Sequence, residues 1–223
     1  MAELERRYTA APVEARAARE NRNRIGGYAA VFNRYSQNLG GFVEQVDPAF
    51  FNKSRGDGWP DVIARYNHDD NMLLGTTAGG TLDLRVDGTG LTYEVEPPQA
   101  RADILELVQR GDVRKSSFAF RVTTDGDEWS LTDQGFPLRT LLSGQLVDVA
   151  PVNIPAYPDS TAGLRSLAKH MHADETEVRK LAEANELRKF FVRTDQGVQA
   201  ATKQLFGAAA MAQLLARRTD PYT

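Results

Sequence analysis

The chain has no cysteine, which excludes a disulfide scaffold, a thiol nucleophile and a thiolate metal site together. Histidine is scarce, three in 223 residues, so imidazole chemistry has few candidates. No apolar run approaches the roughly 20 residues a membrane-crossing helix needs. Glu3, Glu5, Arg6 and Arg7 deny the N-terminal segment the apolar core of a signal peptide, so action in the cytoplasm is expected, with no membrane partner. Neither sign of charge is in excess: 27 Lys and Arg against 30 Asp and Glu leave a net of -3 and no basic surplus for nucleic acid. Gly75 to Gly80 lacks the helix and lysine of a phosphate loop. The G-x-S-x-G elbow of the α/β-hydrolases is missing as well. No cofactor is expected.

What remains is an ordinary globular composition, 41% hydrophobic and 26% charged, long enough to bury a substantial core. Within it stand Asn67-His68-Asp69, then Ser116-Ser117-Phe118-Ala119-Phe120, then Val147-Asp148-Val149. A histidine, a serine pair and an acid on apolar stretches fill the three roles of a serine hydrolase: a base that takes the hydroxyl proton, the hydroxyl itself, and a carboxylate that fixes the imidazole tautomer. Chains of this length commonly hold such residues, so their setting must decide. On an extended strand Ser116 and Ser117 point to opposite faces, so one of them alone can meet His68. Phe118 and Phe120 take the face away from Ser117 and Ala119. Asp69 and Asp70 are rival acids, but immediate neighbours of a histidine seldom reach its ring in the right geometry. His170 and His172 lack a third metal ligand at a recognisable spacing, and on a helix they do not face each other; no metal is expected.

Along the chain, residues 1–23 hold few large apolar side chains and are expected to be a mobile leader or a marginal helix. Strands are expected over Ile25 to Phe32, Phe42 to Val46 and Val62 to Tyr66, with His68 just beyond the last. Asp47-Pro48-Ala49 resembles a cap with proline at the first helical position, and Ser54 to Pro60 a loop. Leu82, Leu84 and Val86, then Leu91, Tyr93 and Val95, alternate with polar residues around Asp87-Gly88-Thr89-Gly90, which predicts a hairpin with one buried face. Ile104, Leu107 and Val108 are at helical spacing, stopped by Gly111. Val113 to Val122, Leu138 to Leu142 and Leu146 to Val152 are further strands, and from Ser160 onward the composition is helical. One apolar stripe there is Val178, Leu181, Leu187 and Phe191, and another is Leu205, Ala209, Ala212 and Leu215. The fold class is therefore α+β, an antiparallel sheet with helices outside it.

Several of these words, in this order, resemble the prohead serine proteases of tailed bacteriophages: Gly26-Gly27-Tyr28-Ala29-Ala30-Val31-Phe32-Asn33, Ala64-Arg65-Tyr66-Asn67-His68-Asp69, Arg110-Gly111-Asp112-Val113 leading into Ser117-Phe118-Ala119-Phe120, and Val147-Asp148-Val149-Ala150-Pro151 running on to Pro155-Ala156-Tyr157-Pro158. The resemblance covers roughly 24–165, which it implies is a protease domain; the helical composition beyond it is expected to form a C-terminal arm over 166–223. It also implies a fold similar to the herpesvirus assemblins, a closed β-barrel ringed by helices. Carried over position by position, it makes His68 the general base, Asp148 the residue that orients it, and Ser117 the nucleophile with Ser116 as the alternative. Ala119 departs from the pattern, since many relatives carry glycine there. The oxyanion donors are expected near Ala156 and Tyr157.

The function implied is a serine endopeptidase of head maturation, working in the host cytoplasm inside the assembling prohead. It would cleave the scaffolding region of the major capsid protein or a separate scaffold protein, and itself. A homo-oligomer is among the expectations, since the herpesvirus relatives are activated by dimerisation. The rival reading is a catalytically silent head-assembly or scaffold module that binds capsid subunits.

Overall fold

A computed structural model of the chain describes residues 3–17, 23–153 and 161–192. Its strands in chain order are β1 (Glu5–Ala17), β2 (Asn23–Val31), β3 (Val43–Val46), β4 (Ile63–Arg65), β5 (Leu73–Thr76), β6 (Leu82–Val86), β7 (Gly90–Val95), β8 (Lys115–Val122), β9 (Asp127–Leu131), β10 (Pro137–Leu141) and β11 (Gly144–Val152); its helices are α1 (Asn52–Gly56), α2 (Ala102–Arg110), α3 (Thr161–Met171) and α4 (Glu175–Glu183).

Eight strands form one sheet in the order β5-β4-β11-β8-β1-β2-β7-β6. Neighbours are antiparallel except β4 and β11. The two ends of that order approach each other where Thr81 N, just before β6, donates to Thr76 O of β5 at 3.2 Å and Gly75 of β5 packs against Val95 of β7. The sheet thus nearly closes into a barrel, as expected. Its interior is mostly apolar, and a group of phenylalanines seats β8 in it: Phe118 and Phe120 stack at 5.0 Å, with Phe50 edge-on to Phe120 at 5.3 Å and Phe51 to Phe118 at 5.8 Å. A second sheet, β3-β10-β9, is covered by α3 and α4 over a core of Phe42, Trp129, Leu167, Val178 and Leu187. Asp174 opens α4, its Oδ1 accepting from Thr176 N at 2.9 Å and Glu177 N at 3.2 Å. The stripe Leu205, Ala209, Ala212 and Leu215 lies outside the described residues.

Two local expectations are corrected. Within 1–23, Glu5–Ala17 is neither leader nor helix but the strand between β8 and β2. Its inward positions are Glu5, Arg7 and Thr9, all buried, so an apolar pattern gives no sign of it. Glu5 and Arg7 are held by ion pairing. Arg139, 1% exposed, donates to Glu5 Oε2 at 2.7 Å, Glu44 Oε2 at 3.0 Å and Asp127 Oδ2 at 2.6 Å, while Arg7 donates to Glu44 Oε1 at 2.7 Å and Glu5 Oε2 at 2.8 Å. Burial alone would lower the pKa of either arginine; Glu44 and Glu5 outweigh it, and both are raised. The second correction concerns Asp47-Pro48-Ala49. Asp47 Oδ1 accepts from Ala49 N at 2.7 Å, which makes a turn that ends in the buried Phe50 and Phe51, and α1 begins only at Asn52. Ser54, at the start of the expected loop, therefore lies in α1, where it accepts from Leu146 N at 2.9 Å.

Candidate active site

The register of β8 decides which serine faces where. Ser117 pairs with Tyr8 of β1 and Ala150 of β11, and its side chain leaves the sheet on the side opposite Phe118. Ser116 points inward with the phenylalanines, is 0% exposed and shares a hydrogen bond with Tyr93 Oη at 3.1 Å. It does not meet His68. Asp148, flanked by the valines of β11, is also 0% exposed.

His68 reaches them from a turn just after β4. Its backbone is left-handed, φ 59°, and so is that of Asn67, φ 54°, a conformation that costs a non-glycine residue on the order of 1 kcal/mol. The turn is held by Asp69 N donating to Tyr66 O at 3.1 Å and Tyr66 N to Met72 O at 3.0 Å. Asn67 Oδ1 also accepts from Asn153 N at 3.1 Å, which ties the turn to the end of β11. Asparagine tolerates this backbone better than most residues, so the word Asn67-His68 has a local reason.

The structure brings three of the four candidate residues together. Ser117 Oγ lies 2.7 Å from His68 Nε2, and His68 Nδ1 lies 2.6 Å from Asp148 Oδ1. Burial alone would push the Asp148 carboxyl up; the hydrogen bond and charge of His68, then those of Arg65, outweigh it and hold the carboxyl below its ordinary value. An ionised Asp148 can only accept, so Nδ1 carries the proton and Nε2 presents its lone pair to the Ser117 hydroxyl. Ser117 Oγ has a second acceptor, the carbonyl oxygen of Arg7 at 2.8 Å. One hydroxyl hydrogen serves one acceptor at a time.

Sequence reasoning misses two members of the site. Arg65 Nε donates to Asp148 Oδ2 at 2.9 Å, with Nη2 on the same oxygen, and its Nη1 pairs with Asp70. The Arg7 carbonyl is backbone and leaves no trace in a sequence. Asp69 turns to the loop, accepting from Asn71 N at 2.9 Å, so neither neighbouring acid competes with Asp148 for the imidazole. Ala119 pairs with Asp148 across β8 and β11 and is fully buried. Ala156 and Tyr157 lie outside the described residues. Among the described residues no group of three acidic, histidine or cysteine side chains could hold a metal ion, and no helix is long and apolar enough to cross a membrane.

A chain of hydrogen bonds from buried carboxylate to imidazole to serine hydroxyl can activate the hydroxyl as a nucleophile at neutral pH, the imidazole taking its proton as the oxygen attacks. A comparison with protein families matches residues 11–175, well over half of the chain, to the family described as caudovirus prohead serine protease. No curated protein matches the chain, and no solved structure does.

Proposed function

Because the chain belongs to the caudovirus prohead serine proteases and is thereby a serine endopeptidase of phage head maturation, we propose that Ser117, His68 and Asp148 are its catalytic triad. We propose further that its substrates are the scaffolding region of the major capsid protein or a separate scaffold protein, and the chain itself, inside the assembling prohead. The observation that carries the triad is the unbroken contact from Asp148 through His68 to Ser117, at 2.6 and 2.7 Å.

In the first step His68 Nε2 takes the Ser117 proton as Oγ attacks the scissile carbonyl carbon. The imidazolium that forms is stabilised by Asp148, and its proton then passes to the leaving amine. Water, activated by the same imidazole, releases the acyl group. Arg65 positions Asp148 by occupying Oδ2, which leaves Oδ1 for Nδ1. The Arg7 carbonyl holds the resting hydroxyl, whose hydrogen swings to Nε2 for attack.

The test is co-expression with the capsid protein, followed by intact mass measurement of both chains. Ser117→Ala and His68→Ala are expected to leave both at full length while folding normally. Ser116→Ala is expected to process as wild type does. Cleavage that persists in Ser117→Ala and disappears in Ser116→Ala would refute the assignment. Capsid protein cut by wild type while the protease chain keeps its full mass would remove self-cleavage alone.

A further inference from the structure

Beside the nucleophile strand the barrel is incompletely sewn. β1 pairs with β2 only from Val13 onward, and over Glu5–Thr9 its strand partner is β8 alone. β2 beyond Gly27 pairs with β7 on its other side. The two strands diverge at the irregularity between Thr9 and Pro12, and a cleft of about 630 Å³ opens between them, walled on its third side by the loop from Arg34 to Leu39. Tyr8, directly across the register from Ser117, lines this cleft. Adjacent strands lie about 5 Å apart, so the cleft begins one strand away from the strand that carries Ser117, and Phe118 on the opposite face of that strand also lines it.

We propose that this cleft receives the substrate polypeptide next to the scissile bond and selects an acidic side chain there; the proposal rests on the triad reading above. Two features argue for a peptide. The edges of β1 and β2 that face the cleft have no strand partner among the described residues until Phe32, just past β2, bridges to Val46, so main-chain groups before that point are available to an added strand; the Arg6 carbonyl, which accepts from Arg7 Nη1 at 2.9 Å, and Ala11 N, which donates to Thr9 Oγ1 at 3.1 Å, are exceptions. The volume also falls in the range of small-ligand sites and accommodates a few residues of an extended chain.

Charge argues for an acid. Arg6 and Arg34 line the cleft, are exposed, and make no ion pair among the described residues. The carboxylate on the cleft wall, Glu44, is 3% exposed and already bound by Arg7 and Arg139. A substrate carboxylate entering there meets two unpaired guanidinium groups and no free carboxylate. Both arginines suit bidentate recognition of such a group.

The full chain and a degenerate peptide library test this. Wild type is incubated with the library and the new peptide ends are read by mass spectrometry; the Ser117→Ala chain, immobilised, is separately panned with the same library. Asp and Glu are expected to be enriched about three- to fivefold at one position beside the cleaved bond and in the retained peptides, the scale of one or two solvent-facing ion pairs. The double variant Arg6→Glu/Arg34→Glu should lose that enrichment and favour Lys and Arg instead. Cleavage without acidic enrichment, or with the same enrichment in the double variant, overturns the cleft's role and leaves the triad standing. Cleavage with the same acidic enrichment by the Ser117→Ala chain overturns the triad and supports the cleft. Absence of both cleavage and retention overturns the cleft.

Discussion

Replacing Arg65 with methionine keeps the unbranched stem of the side chain and removes its charge and donors. The side chain is only 12% exposed and the Asp148 carboxylate it holds is 0% exposed, so water cannot fully replace the lost partner. A charged hydrogen bond of this kind is worth about 1.5–3 kcal/mol, and about 1.4 kcal/mol corresponds to a factor of ten in rate. If that interaction is needed when the imidazolium forms, kcat falls by about 10- to 100-fold. The loss is smaller than the ~10⁴-fold that follows when a triad acid is made an amide, because Oδ1 still faces Nδ1.

The pH dependence separates this role from a merely structural one. In wild type the carboxyl is held below its ordinary value by His68 and Arg65 against the effect of burial. A carboxyl lowered in the folded state contributes stability that is complete above its unfolded pKa, about 4, and is lost as pH falls through the folded value. Without Arg65 the effect of burial gains ground and the folded value rises. The acid limb of kcat against pH should therefore move to higher pH in Arg65→Met, and so should acid unfolding. Arg65→Lys, which keeps the charge but not the fork, should recover part of both. The assay is a quenched peptide spanning a junction mapped in processed capsid protein. Turnover equal to or above wild type, with an unmoved acid limb, would refute the reasoning.

Other perturbations have defined outcomes. Arg139→Met strands the Glu5, Glu44 and Asp127 carboxylates around a site 1% exposed; a loss of about 3–5 kcal/mol is expected, read from the urea midpoint, with faster amide exchange in β1 than in β6, and a loss under about 1 kcal/mol would mean that the cluster opens to water. Gly144→Ala places a Cβ 2.2 Å from Cζ of Phe50, so a cost of about 1–3 kcal/mol from overpacking is expected, and an unchanged melting temperature would show that the ring moves freely aside. Ser116→Ala gives up the Tyr93 hydrogen bond and should cost about 1 kcal/mol at unchanged turnover.

What could be read from the sequence follows from where hydrophobicity carries the information. The β6–β7 hairpin and α2 were legible because Leu82, Leu91, Tyr93 and Val95, and then Ile104 and Val108, are the buried positions. β8 was legible for the same reason, and its alternation predicted that Ser117 and Phe118 would part to opposite faces. β9 was not, since it begins Asp127-Glu128 and buries only Trp129 of its five residues. β5 was missed because its fit depends on Gly75, whose position would put a Cβ 2.6 Å from Val95 Cγ2. Pairing in three dimensions, not local pattern, makes both of them strands.

The N-terminal strand shows why such a miss bears on function. Its inward residues Glu5, Arg7 and Thr9 are polar or charged, so no apolar period marks it, yet it lies against the strand that carries Ser117 across five paired positions before the irregularity, from Glu5 opposite Phe120 to Thr9 opposite Ser116. Arg7 contributes twice from one position. Its guanidinium is locked between Glu5 and Glu44, and its carbonyl accepts from Ser117 Oγ at 2.8 Å. The buried ion pairs therefore set the depth at which β1 sits on β8, and with it the place of the hydroxyl's second acceptor. A hydroxyl oxygen held between an imidazole and a fixed carbonyl has its rotamer chosen before substrate arrives, so only the hydroxyl hydrogen is left to turn for the attack. On this argument the charge cluster and the serine are parts of one arrangement, though Arg139 does not touch the site.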